Sequence, residues 1–172
     1  MKVRLIGLVI GLVIFGISKA FFVDSDEVGR FNDKLVDVTA GNPQDFDNYL
    51  VYLNQYEEGQ KVDVSSMRRE RDGLEQKIQG YLATINKTDI PDDDLCREFH
   101  ASVLEYERNF LAISQKCNEQ IEYIAAHNPG SAEDVETVDN MVLDLLVKSE
   151  SLFESLKAKQ RELAQKHDLT LQ

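Results

Sequence analysis

Cys96 and His100 stand four residues apart, with Asp92 one turn earlier. On a helix that spacing puts a thiol, an imidazole and a carboxylate along one side, the beginning of a soft metal corner. Structural zinc needs four ligands, and neither His127 nor His167 has a Cys or His neighbour to complete a set. The di-iron signature, Glu three residues before His, is missing, since Arg97, Ile124 and Ala164 occupy those places. There is no Cys-x-x-Cys-His for haem, no glycine-rich phosphate loop and no Gly-x-Ser-x-Gly elbow. The expectation is therefore no metal, no cofactor and no catalytic residue.

Arg71 is the other candidate. With Glu57 and Gln60 it falls on an otherwise apolar seam, where a guanidinium can hold a carboxylate ligand between helices. The remaining polar features read as structure. Arg68, Arg69 and Arg71 are interleaved with Glu70 and Asp72, the pattern of a solvated helix face. Asp92, Asp93 and Asp94 oppose the positive end of a helix dipole. Asn86-Lys87-Thr88 is one glycosylation sequon, meaningful only on a eukaryotic secretory route.

Cys117 sits at the middle of an apolar helix face and reads as a buried, inert thiol. Cys96 lies on the flank of that face. It is 21 positions from Cys117, about 31 Å along a helix, so the two cannot bridge each other. A half-exposed Cys96 in an oxidising compartment would be free to link two copies of the chain.

The elements that must position these residues are helical. Leu95, Phe99, Val103, Tyr106, Phe110, Ile113, Cys117, Ile121 and Ile124 recur at threes and fours. That spacing predicts one helix over 92–127, roughly 54 Å long at 1.5 Å per residue. Leu104 and Leu111 lie opposite this stripe: they are core if the helix packs on two sides, and a contact strip otherwise. Before it, a heptad series runs from Phe46 to Ile85 and predicts a helix over 44–86. Its middle is weak. Glu57, Gln60 and Arg71 interrupt the seam, and Gly59 with the Val62–Ser66 run argues for a kink or short break, or a tight turn making two helices. Val135, Val138, Val142, Leu145, Ser149, Leu152, Leu156, Lys159 and Leu163 predict a last helix to about Lys166, opened by a Ser131-x-x-Asp134 capping box. A short helix from Ser25, with Val28, Phe31, Leu35 and Val38 inward, ends at Gly41-Asn42-Pro43. The expected fold is all-α: an antiparallel helical bundle of three long helices plus one short N-terminal helix, with coiled-coil-like packing.

The N-terminus points to a compartment. Lys2 and Arg4 precede an apolar stretch, Leu5 to Ile17, and Ser18-Lys19-Ala20 places small residues for cleavage after Ala20. This is the layout of a signal peptide. Read on through Phe21-Phe22-Val23 it becomes a marginal membrane anchor instead. Either way the basic lead and the acids that follow send the rest of the chain across the membrane. Residues 1–20 are thus expected to be a signal peptide or anchor, and residues 21–172 an extracytoplasmic helical-bundle domain. Membrane contact is confined to residues 1–23 if they are uncleaved.

The 172-residue chain carries a net charge of −12, which disfavours binding to nucleic acid. What fits is an exported, non-enzymatic bundle acting through a protein partner or through self-association. The alternative is a sensor or carrier of an anionic small ligand near Arg71.

Overall fold

The computed structural model describes residues 27–40 and 42–170. The expected leader over residues 1–20 and the Ser25 cap lie outside the described residues. Among the described residues seven helices follow in order: α1 (Glu27–Thr39), α2 (Asn42–Asp45), α3 (Asp47–Glu57), α4 (Val64–Asn86), α5 (Asp94–Ala126), α6 (Ala132–Asn140) and α7 (Leu143–Lys166). Among the described residues there is no strand, so the chain is all-helical. None of the described helices is long and apolar enough to cross a membrane.

Helix α5 is the axis. Its stripe from Phe99 through Ile124 is buried, and α4 and α7 both pack along its length. Leu104 and Leu111 are partly buried against the core, because α5 packs on more than one side. The N-cap is Asp93, whose carboxylate accepts from the Leu95 and Cys96 amides. Two of the donors that a helix start leaves open are satisfied there.

The stretch expected as one helix over 44–86 is two helices folded back on each other. Helix α3 ends at Glu57, and α4 begins at Val64 behind an Asp63 cap that accepts from Ser65 and Ser66. Asp45 on α2 contacts Lys77 and Tyr81 of α4 at 2.6 and 2.7 Å, and Asn48 contacts Glu70 at 3.1 Å. A continuous rod would separate those residues by several turns. The reversal runs through Gly59 at φ 70°, in the left-handed region that glycine adopts without steric cost. Glu57 and Gln60 fell on the heptad only by spacing, and the loop leaves both exposed.

The last helix is likewise divided, at Met141–Val142, into α6 and α7. Its start matches the capping-box reading: Ser131 and Asp134 cap each other's backbone amides. The helices expected to run 35–43 residues are therefore shorter, at 23, 33 and 24 residues for α4, α5 and α7.

Pairs across the seams give the register. Along α5 and α7, Asp93 meets Lys166, Glu98 meets Lys159, and Asn109 meets Ser149. Along α4 and α5, Arg68 meets Glu122, and the Ile85 carbonyl meets His100.

At one end the α3–α4 loop packs on the α5–α6 loop. The Asn128 side-chain amide donates to the Val62 carbonyl at 2.8 Å and accepts from the Val62 amide at 2.9 Å. Tyr56 donates to the His127 carbonyl at 2.9 Å, and its ring lies over Gly130. A Cβ on Gly130 would come within 2.3 Å of that ring, whereas one on Gly59 would meet nothing. Two costs follow. Gly59→Ala should lose about 1 kcal/mol through backbone strain alone. Gly130→Ala should lose about 1–3 kcal/mol through overpacking, and pairing it with Tyr56→Leu should recover part of that loss. Urea denaturation of the three variants measures both.

Candidate functional site

The Cys96–His100–Asp92 corner does not assemble. The Cys96 side chain is fully buried rather than half-exposed, at the end of α5 where Asp93 meets Lys166 of α7. This removes the ground for a Cys96 cross-link between copies. His100 turns its Nε2 to the Ile85 carbonyl at 2.9 Å and stacks on Phe31 at 6.4 Å. Asp92 faces solvent and pairs with Arg97 at 3.0 Å. His127 stacks on Tyr123 at 4.2 Å, and His167 lies 3.4 Å from Asp93. The sequon residue Asn86 is exposed and bonds back to the Leu82 carbonyl, while Thr88 is buried.

Arg71, Glu57 and Gln60 are not brought together. Arg71 is mostly buried on α4, and its guanidinium is engaged by Asp72 and by Glu75 one turn on. Its Nε is buried without a hydrogen-bond partner. Glu57 and Gln60 are exposed at the α3–α4 reversal, Gln60 bonded to Glu58 at 2.7 Å. Arg68 pairs with Glu122 and Arg69 bonds Ser66, as expected of a solvated face.

What the fold assembles is a set of buried polar clasps that periodicity did not reveal. The Tyr49 hydroxyl on α3 donates to Gln120 of α5 at 3.0 Å and lies 3.3 Å from the Cys117 carbonyl. Gln120 in turn donates to the Val138 carbonyl of α6 at 2.9 Å, so one chain of bonds joins three helices. Asn109 of α5 donates to Ser149 and to the Leu145 carbonyl of α7. Gln160 of α7 donates to Asn32 of α1 at 2.9 Å. The available signal was a polar residue on a flank of an apolar stripe, which spacing alone does not separate from a solvated one.

Electrostatics agree with a structural role. Burial pushes the Cys117 thiol up to about 12, so it stays protonated at neutral pH and is no nucleophile. Burial also raises the Tyr49 and Tyr106 hydroxyls well above the usual phenol value. Asp93 is held at about 2, chiefly by Lys166 and then by the amides it caps. An open groove is lined by Arg161, Ala164, Gln165, Asp168 and Leu169, remote in sequence from Arg71.

No protein-family model, curated protein or solved structure matches this chain.

Two measurements probe these contacts. Tyr49→Phe should cost about 1 kcal/mol in urea denaturation with an unchanged far-UV spectrum, the worth of one buried hydrogen bond. Asp93 has a depressed folded pKa, so its stabilisation is present above the ordinary value near 3.8 and fades as pH falls toward 2. Asp93→Asn keeps a capping oxygen and loses the charge. The gap in melting temperature between wild type and Asp93→Asn should be open at pH 5 and shrink on going to pH 2.

Proposed function

We propose that this chain is an exported or membrane-anchored, non-enzymatic helical-bundle protein of the cell envelope that works through protein–protein contact, as scaffold, adaptor or homo-oligomer. The bundle is antiparallel with coiled-coil-like packing. In support, partner numbers on α7 rise from Ser149 to Lys159 and Lys166 as those on α5 fall from Asn109 to Glu98 and Asp93. The basic lead and apolar stretch of residues 2–17 support export.

The observation that carries the contact reading is Arg71. It is the residue best suited to hold an anionic ligand within the seam, and its own helix neutralises it through Asp72 and Glu75. The second reading, a carrier near Arg71, has one observation in its favour, the buried Nε–H without an acceptor.

Cell fractionation and light scattering with native mass spectrometry test the two halves of the proposal. The chain should appear outside the cytoplasm and run as a dimer or larger, or together with a protein partner. Its mass should not change with reductant, since both cysteines are buried. A strict monomer without a partner overturns the contact reading, a co-purifying small anion favours the carrier, and cytoplasmic retention overturns export.

A further inference from the structure

Helix α6 is a short element with little of its surface buried. Of its nine residues only Val138 is buried. Val135 is partly buried against the core, and ties from α5 include the Gln120 bond to the Val138 carbonyl and the Tyr123 bond to Asp134 at 2.8 Å. Its C-terminal end is also electrostatically awkward. Asp139 sits half-buried in the last turn, where the helix dipole already presents negative charge. Helix α3, packed against α6, ends in Glu57 and Glu58, and neither helix has a basic residue in its last turn. Two negative helix ends and their carboxylates thus meet beside the break at Met141–Val142.

The charged neighbours do not relieve this. On α5, Gln120 lies against Val138, so the base nearest in register is Lys116, which is taken by Glu119 at 2.6 Å. His127 and Tyr123, also from α5, act at the far end of α6, at Asp134. Helix α7 starts beside the break, and Asp144 in its first turn offsets the positive end of that helix.

We propose that α6 is a proton-sensitive flap, docked on α3 and α5 while Asp139 is protonated and loosened as that carboxyl ionises. Burial first, and then Glu57, raise the Asp139 pKa to about 6 in the docked state. Undocking returns it to the ordinary value of 3.8. Between those values the docked form holds a proton that the open form has lost, so docking weakens as pH rises through the window. Opening would uncover Val138 and the Gln120 end of the Tyr49 clasp.

Hydrogen exchange of the full chain, followed by mass spectrometry at pH 5 and pH 8 and corrected for intrinsic rates, tests the flap. Peptides covering residues 132–142 should lose up to about tenfold in protection at pH 8, while peptides from the middle of α5 hold theirs. In Asp139→Asn, which removes the charge without removing the side chain, most of that difference should vanish, and Glu57→Gln should reduce it. Equal protection of α6 at both pH values overturns the proposal. So does a difference that survives whole in Asp139→Asn, or one that α5 shares in parallel.

Discussion

A helix of 33 residues that is apolar on more than one side cannot satisfy its surface with one neighbour, and α5 sets that condition for the rest of the fold. Its main stripe needs a partner along its full length, and Leu104 and Leu111 need cover on the other side. Helices α4 and α7 both pack along it, one from before it in the chain and one from after, and the smaller elements fill what they leave open. Aromatic rings gather where several helices converge on α5: Phe46 and Tyr106 both contact Phe110, and Phe31 meets Phe99 edge-on. Such contacts supply area without demanding one alignment.

Alignment comes from the buried polar groups. An apolar seam tolerates sliding by a turn, whereas an amide or hydroxyl sealed from water must find its partner or lose about 1–3 kcal/mol. Asn109–Ser149, Gln160–Asn32 and His100–Ile85 each hold one pair of elements at one register, and Tyr49–Gln120–Val138 holds three. Asn128 does the same for the loops, borrowing a backbone-like pair of bonds to Val62. These interior polar groups bond one another or the backbone, whereas the buried Nε of Arg71 has no hydrogen-bond partner.

Much of this was legible without coordinates. The helical class, the span of α5 to within a few residues, the Ser131–Asp134 cap and the burial of Cys117 all follow from short-range rules about turn length, capping and stripes. The burial of Cys96 was not legible, because a flank position is covered or left open by whatever packs beside it, which spacing within its own helix does not reveal. The α3–α4 reversal was visible only as an ambiguity: Gly59 and polar seam positions permit a kink or a full turn equally, since propensity is a weak local bias.

By itself the sequence determined the helical class, the apolar stripe and span of α5 and the Ser131–Asp134 cap, because those depend on neighbours within one or two turns. Only the tertiary structure decided that Cys96 is buried, that the chain reverses between α3 and α4, and which amides clasp which helices. Those outcomes depend on contacts between groups well separated along the chain, and hydrophobic periodicity carries no information about such contacts.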